Sequence, residues 1–402
     1  MTASEHGPVV GGVVTAIVGF SSTFVVVLAG LTAVGASSAE AASGLLALCV
    51  TQGLGMLWLS LRHRTPLTLA WSTPGAALLV STGTVAGGWP AAVGAFLVTG
   101  VLILATGLIP RLGDLIAAIP PALARGMLAG VLLHLCLAPV TAVVDEPLLV
   151  GPVVITWLVM HALSRRWAVP AALFVALVVV IVEAGSSVRA GDLAPSLVWT
   201  TPEWTVSAVV SLALPLYIVT MASQNVPGVA VMSSHGYPVP WRETMNVTGI
   251  GTALGAPFGG HAINLAAITA ALAAGPTAGP DRSRRWVASA TAAWCYLALA
   301  VGCSALGALV DAAPDGVIQA AAGLALLGTL AAALSEALAD PAERESAVVT
   351  FVVAASGITL LGVGAAFWAL VAGLVVRVVV RDRSDGSRPT VRWPGRRQLS
   401  VK

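Results

Sequence analysis

Apolar stretches long enough to cross a lipid bilayer follow one another along this chain from Val9 to Val380. A hydrocarbon core of about 30 Å needs roughly 17 to 25 apolar residues per helix, and these stretches reach that length. They do not alternate in polarity at every second residue, as the strands of a membrane barrel do. Hydrophobic residues make up 57% of the chain and charged residues only 9%, which excludes a water-soluble globular surface. The sequence therefore predicts an all-α polytopic membrane protein.

The positions of these stretches predict fourteen transmembrane segments. The predicted spans are residues 9–34, 40–60, 67–86, 90–109, 117–139, 147–164, 168–184, 205–226, 243–257, 260–275, 286–309, 316–335, 345–361 and 363–380. Lys and Arg concentrate in every second connection and in the C-terminal tail, with Arg189 as the exception in an opposite loop. Because Lys and Arg are enriched on the cytoplasmic side of a membrane, this pattern predicts that both termini lie in the cytoplasm.

The predicted spans divide into two halves of seven, at residues 1–190 and 200–380, followed by a basic cytoplasmic tail at 381–402. An odd number of spans inverts the second half relative to the first, so the pattern predicts a 7+7 inverted repeat. The third and the tenth span are both short and broken by Gly and Pro, near residues 72–75 and 257–260. A broken helix survives at membrane depth only where it lines a cavity or is buried in protein. Two matched breaks predict one central site, where half-helix N-termini favour an anion.

Polar and aromatic residues at the breaks are the predicted substrate site. His261 is our first choice for the proton-coupling residue, because histidine titrates near physiological pH; the alternative is a neutral structural histidine. Asn264 is expected one helical turn beyond His261, on the same side. Trp71 and Phe258 flank the breaks and are expected to sandwich an aromatic ring. The other predicted substrate-binding residues are Ser22, Ser72, Thr73, Gly75, Ser223, Gln224, Asn225 and Gly260.

Four motifs in this chain are found together in a known transporter family. They are AWSTPGAA at 70–77, IPPALA at 119–124, SQNVPG at 223–228, with a helix break expected at its proline, and GGHAINL at 259–265. These motifs resemble the benzoate/proton symporter family called BenE, and the likeness spans nearly the whole chain except the tail. The resemblance implies a secondary active transporter of the bacterial cytoplasmic (inner) membrane that imports benzoate or a similar aromatic carboxylate with a proton.

The BenE family is in turn similar to the nucleobase/ascorbate transporters, and that similarity implies a domain organisation. It implies a core domain of spans 1–4 and 8–11, a gate domain of spans 5–7 and 12–14, an elevator-type movement between them, and a homodimer formed through the gate. Nucleobase carriers place carboxylates in spans 8 and 10, whereas the span 10 position here coincides with His261. A buried carboxylate repels an anion, while His, Asn and Gln donate hydrogen bonds to it, so this difference favours a small organic anion.

Other functions remain open at this point. The same fold can carry a nucleobase or another small anion, and a passive anion channel would conduct without proton coupling. An enzyme is not expected, since HExxH, GxSxG and clustered intramembrane carboxylates are missing from the sequence. We expect no cofactor, no metal site and no nucleic-acid partner. The expected partners are the organic anion, the proton and membrane lipid.

Overall fold

The computed structural model of the chain describes residues 7–109, 111–113, 119–185, 194–360 and 363–386. The side chains of Ile268 and of residues 381–386 are not part of this description. Arg189 and the predicted tail from residue 387 onward lie outside the described residues.

The first half of the chain is helical, with one short strand. Its elements are α1 Pro8–Ser21, α2 Phe24–Ala33, α3 Ser38–His63, β1 Leu69–Trp71, α4 Thr73–Thr82, α5 Gly88–Leu108, α6 Pro121–Asp145, α7 Pro147–Leu163 and α8 Arg165–Ala184. The predicted span at 67–86 is thus a strand followed by a half-helix, because Ser72 and Pro74 begin a new helix rather than continue one.

The second half of the chain is also mainly helical, with short strands. Its helices are α9 Val206–Ser234, α10 Trp241–Gly255, α11 Ile268–Ala274, α12 Trp286–Ala300, α13 Cys303–Asp311, α14 Val317–Ala337, α15 Arg344–Ala355 and α16 Ala365–Gly386. Its strands are β2 Ile263–Leu265, β3 Thr359–Leu360 and β4 Val363–Gly364, and short 3₁₀ turns occupy Ala256–Phe258, Pro276–Ala278 and Arg282–Arg284. The predicted span at 260–275 is therefore again a strand followed by a short helix.

Several helices of the described chain are long and apolar enough to cross a bilayer. Seven such spans are present in the described chain. They are the segment Pro8–Ala33, which contains α1 and α2, and the helices α3, α5, α6, α8, α9 and α14. The Arg282–Ala300 and Cys303–Asp311 segments are long and apolar enough as a pair bent by 57°. The prediction of a polytopic helical membrane protein is confirmed, whereas the fourteen-span inverted repeat stays a prediction.

The prediction of a helix break at Pro227 is wrong. Helix α9 continues through this proline to Ser234, and the turn before it, Met221–Asn225, is π-helical. A proline ring clashes with the preceding turn of an α-helix and lacks an N–H donor. A π turn re-spaces the backbone hydrogen bonds at that point, which lets α9 absorb the proline without ending.

An unpredicted break divides the first span. Helix α1 ends at Ser21 and α2 begins at Phe24. The Ser22 hydroxyl donates to the carbonyl oxygen of Val18 at 2.6 Å, and Thr23 Oγ1 accepts from Trp71 Nε1 at 2.8 Å. Hydroxyl groups that bond the preceding turn often bend helices, and at this interruption Thr23 contacts Trp71 of strand β1.

Helix packing joins elements that are distant in sequence. Helix α3 packs against α12, α5 against α10, and α6 against both α14 and α15. Ion pairs link Arg125 of α6 to Glu336 of α14 at 2.7 Å, and Arg377 of α16 to Glu343 at 2.8 Å.

Candidate functional site

The two interrupted segments meet at the centre of the protein. Strands β1 and β2 pair antiparallel, with Ala70 opposite Asn264 and Trp71 opposite Ile263. The Ser72 amide donates to the carbonyl oxygen of Ala262 at 2.9 Å. Because hydrocarbon cannot satisfy an exposed backbone, this pairing lets each break satisfy the other.

The expected helical turn from His261 to Asn264 is not present. His261 precedes strand β2, Asn264 lies within it, and the next helix begins only at Ile268. Side chains three positions apart on a strand point to opposite faces, whereas on a helix they share one. Both residues are nevertheless fully buried, at 0% exposure.

The His261 side chain contacts the break in the other half of the chain, at Ser72. Its Nε2 lies 3.0 Å from the carbonyl oxygen of Ser72. A carbonyl only accepts, so Nε2 carries the ring proton and Nδ1 holds the free lone pair. Nδ1 has no hydrogen-bond partner among the described residues. The ring packs edge-on against Phe96, with 6.3 Å between the ring centres.

Ser72 is the residue that begins the half-helix α4. Its Oγ accepts from the amide of Gly75 at 3.1 Å, as an N-cap does, and from Thr220 Oγ1 of α9 at 2.8 Å. Gly75 is closely packed, since a Cβ there would lie 2.5 Å from Leu216 Cδ1 and 2.7 Å from Ser72 Oγ. These contacts fix the N-terminus of α4 against α9.

Asn225 holds strand β2 in place. Its Oδ1 accepts from the amide of Leu265 at 2.8 Å, while Thr252 Oγ1 accepts from the amide of Ile263 at 3.0 Å. Ser223, two residues earlier, is buried, and its hydroxyl has no partner among the described residues. Asn225 therefore supports the backbone of strand β2.

A cavity of about 490 Å³ lies beside the paired strands. Its volume is in the range of small-molecule sites. The predicted site residues that line it are Ser22, Trp71, Thr73 and Gln224. The predicted residues that do not line it are Ser72, Gly75, Ser223, Asn225, Phe258, Gly260, His261 and Asn264.

The expected sandwich of Trp71 and Phe258 is not formed. Phe258 lies edge-on to Trp199, with 5.4 Å between ring centres. Trp71 instead contacts Phe20 at 5.6 Å and Tyr296 at 5.9 Å, both edge-on. The aromatic wall of the cavity is thus formed by Trp71 and Tyr296.

Tyr296 is a cavity residue that the sequence interpretation missed. It is 2% exposed, lines the cavity, and its hydroxyl makes no hydrogen bond with a described residue. Buried tyrosine hydroxyls usually have a partner, so this one is available to a ligand. The signal was weak, since Tyr296 lies in an apolar helix without a break, although the chain has only three tyrosines.

Arg165 and Arg166 also line the cavity, at the start of α8. The sequence interpretation used them only for topology. The lining includes no Asp or Glu. The cavity therefore combines an aromatic wall, neutral donors and two cations.

A second cavity, of about 430 Å³, lies next to the first along helix α14. On α14 the first cavity is lined at residues 325–329 and the second at residues 318–322. Asp311 and Asp315 line the second cavity, and Ser38 Oγ donates to Asp311 at 2.7 Å. Among the described residues, no group of three or more His, Cys, Asp or Glu side chains is placed to hold a metal ion.

Comparison with known families decides the class of this protein. The family model described as "Benzoate membrane transport protein", BenE, matches residues 3–379. The chain belongs to the BenE family. BenE chains are membrane transporters and not enzymes, which agrees with both expectations from the sequence.

Two curated proteins are similar over most of their length. Inner membrane protein YdcO of Escherichia coli is 39% identical over 378 residues, covering 94% of this chain and 96% of that protein. The benzoate membrane transport protein of Acinetobacter baylyi is 29% identical over 337 residues, covering 81% of this chain and 82% of that protein.

Solved structures of anion transporters share the fold of this BenE chain. Murine Slc26a9 in the inward-facing state has a TM-score of 0.64 and 15% identity, covering 94% of this chain and 68% of that chain. The transmembrane domain of the cyanobacterial bicarbonate transporter BicA has a TM-score of 0.55 and 15% identity, covering 93% and 96%. At this identity the likeness concerns the fold alone.

Proposed function

We propose that this chain imports benzoate or a similar aromatic carboxylate together with a proton across the bacterial inner membrane, by elevator-type alternating access. The observation that carries the proposal is the cavity beside β1 and β2, where an aromatic wall meets hydrogen-bond donors and cations without any lining carboxylate. The family description and the benzoate transporter of A. baylyi support the substrate class. The inner-membrane relative of E. coli supports the location.

Trp71 and Tyr296 are proposed to bind the aromatic ring. The Trp71 N–H is already bonded to Thr23, which fixes the indole in one orientation. Tyr296 stands at 79° to the indole plane. Two aromatic side chains at such an angle can offer a third ring both an edge and a face, and aromatic pairs of this kind contribute about 0.5–1.5 kcal/mol beyond area burial.

Thr73 and Gln224 are proposed to bind the carboxylate. Neither side chain makes a hydrogen bond with a described residue, and both line the cavity. Thr73 is the first residue of α4, where the positive end of the helix dipole favours an anion. Ser22 is a weaker donor, because its hydroxyl proton already bonds to Val18.

His261 does not line the cavity, and it is proposed to carry the proton from the adjacent break. Protonation at Nδ1 would create a cation bonded to Ser72, whose neighbour Thr73 lines the cavity. A positive charge there favours binding of the anion, and by linkage the bound anion favours the proton. Coupling of this kind does not require His261 to touch the substrate. Ser72, Asn225 and Asn264 are proposed to hold the geometry of the two breaks.

The domain organisation belongs to the same proposal. Spans 1–4 and 8–11 would form the core and spans 5–7 and 12–14 the gate, as an inverted repeat of fourteen spans with both termini cytoplasmic. The succession of two cavities along α14, which lies in the proposed gate, supports a transport path between core and gate. We propose a homodimer through the gate, surrounded by lipid.

A nucleobase, another small anion or a channel are the competing functions. The lack of a carboxylate among the lining residues disfavours a nucleobase, whose N–H groups need acceptors. Exchange of labelled benzoate by protein in liposomes separates these functions. We expect saturable exchange that excess benzoate blocks and that uracil and sulfate leave unchanged. Competition by uracil or sulfate, or a flux that does not saturate, would overturn the proposed substrate or the carrier mechanism.

A further inference from the structure

Two adjacent cations stand at the mouth of the proposed substrate cavity. Arg165 and Arg166 are the first two residues of α8, both are exposed, and both line the cavity that Trp71 and Thr73 also line. Neither guanidinium forms an ion pair or a hydrogen bond with a described residue. Their bonding capacity is therefore free for a ligand.

Helix stability does not account for this placement. Cations at a helix N-terminus oppose the helix dipole, and the first turn of α8 contains no acidic residue to offset them. Membrane topology accounts for positive charge on this side of the protein but not for its position in a cavity. Arg242 serves the same topology at the start of α10 and does not line this cavity.

The charge of the second cavity is opposite. Asp311 and Asp315 line it, and no Lys or Arg is among its lining residues. An anion therefore meets positive charge at the α8 mouth and negative charge at the other cavity. A planar guanidinium fork matches the geometry of a carboxylate.

We infer that Arg165 and Arg166 form a carboxylate-capture pair that selects charged aromatic acids over neutral molecules of the same shape. The inference rests on the proposed function and adds the residues that set its charge preference. Helix α8 lies in the proposed gate, whereas Trp71 and Thr73 lie in the proposed core. The pair therefore contacts substrate only while the cavity faces α8, and a ligand with contacts in one conformation favours that conformation.

Benzoate and its neutral isostere benzamide provide the test. Binding of each to the purified full-length protein is followed by intrinsic tryptophan fluorescence, at low and at high ionic strength. The variants are Arg165→Gln, Arg166→Gln, the double Gln variant, the double Lys variant and the control Arg242→Gln. We expect the double Gln variant to bind benzoate roughly three- to tenfold more weakly, and benzamide as the wild type does.

Ionic strength provides the second readout. Exposed charges are screened by salt, so wild-type affinity for benzoate should fall as salt rises. We expect this dependence to persist in the double Lys variant and in Arg242→Gln, and to disappear in the double Gln variant. If the pair only stabilised the fold, the double Gln substitution would leave the salt dependence of benzoate affinity unchanged.

Two results would overturn the inference while leaving the proposed function intact. One is unchanged benzoate affinity in the double Gln variant, and the other is an equal loss of benzoate and benzamide binding. A wild-type protein that binds no benzoate would instead overturn the proposed function, and this inference with it.

Discussion

His261 Nε2 donates to the carbonyl oxygen of Ser72 at 3.0 Å, between residues that are 189 positions apart in the sequence. The contact ties the residue proposed to carry the proton to the residue that caps α4. The next residue, Thr73, lines the proposed substrate cavity. In the proposed mechanism, the proton and the anion influence one another through this backbone segment, without direct contact between His261 and the substrate.

Replacement of His261 by Gln is expected to abolish accumulation of benzoate driven by a proton gradient. Gln keeps an N–H donor for Ser72 but cannot bind the proton. Exchange of labelled for unlabelled benzoate should continue, because exchange needs no net proton movement. Uptake and exchange in liposomes measure the two properties separately.

His134→Gln is the matched control, because this histidine is exposed on α6 and lines neither of the two cavities. Its gradient-driven uptake should equal that of the wild type. Undiminished uphill uptake by His261→Gln would remove His261 from the coupling role.

Replacement of Trp71 by Phe is expected to weaken benzoate binding by about three- to tenfold, since part of the aromatic wall and the bond to Thr23 are lost. Trp89→Phe is the control. Trp89 is also buried, and its N–H also bonds to a threonine hydroxyl, that of Thr200 at 2.9 Å, but it does not line the cavity. Equal losses of affinity in both variants would argue against ring binding by Trp71.

Replacement of Gly19 by Ala is expected to displace the Tyr296 hydroxyl. A Cβ at this position would overlap Tyr296 Oη and lie 2.9 Å from Thr269 Cγ2. We expect benzoate affinity to fall by about fivefold, and the effect of Gly19→Ala to be smaller in a Tyr296→Phe background, with a coupling of about 1 kcal/mol.

A double-mutant cycle on benzoate binding measures this coupling. Gly151→Ala is the control, because a Cβ there has no atom within 4 Å. Strict additivity of the Gly19 and Tyr296 substitutions would show that the hydroxyl does not contribute through this contact.

Replacement of Ser72 by Ala is expected to destabilise the protein by about 1–2 kcal/mol. The substitution removes the N-cap of α4 and leaves the Thr220 hydroxyl without its acceptor. The melting temperature of the purified protein should fall by a few degrees. Thr205→Ala removes a comparable cap of α9, at 3.0 Å from the amide of Ala208, and should lower the melting temperature while sparing benzoate affinity. An unchanged melting temperature in Ser72→Ala would contradict the capping role.

Features that depend on local composition were predictable from the sequence. Apolar length gave the membrane class, and Ser72, Pro74 and Gly75 gave the first half-helix because capping and proline preferences act within a few residues. The motifs that resemble BenE gave the family, which the match over residues 3–379 confirms.

Features that depend on distant contacts were not predictable. The sequence predicts that Asn264 shares a helix face with His261, but pairing with Ala70 places Asn264 in a strand, where the side-chain period is 2 instead of 3.6. The break before Phe24 is associated with the bond between Thr23 and Trp71. Tyr296 gives only a weak local signal, because long-range packing, including the contact with Trp71, brings it to the cavity.

The central claim is proton-coupled transport of an aromatic carboxylate. Uptake of labelled benzoate into liposomes that contain the purified full-length protein tests it, with and without an inward proton gradient. The account predicts saturable accumulation above equilibrium that requires the gradient and collapses when a protonophore is added. Folded protein that brings benzoate only to equilibrium, at the same level with and without the gradient, would contradict it.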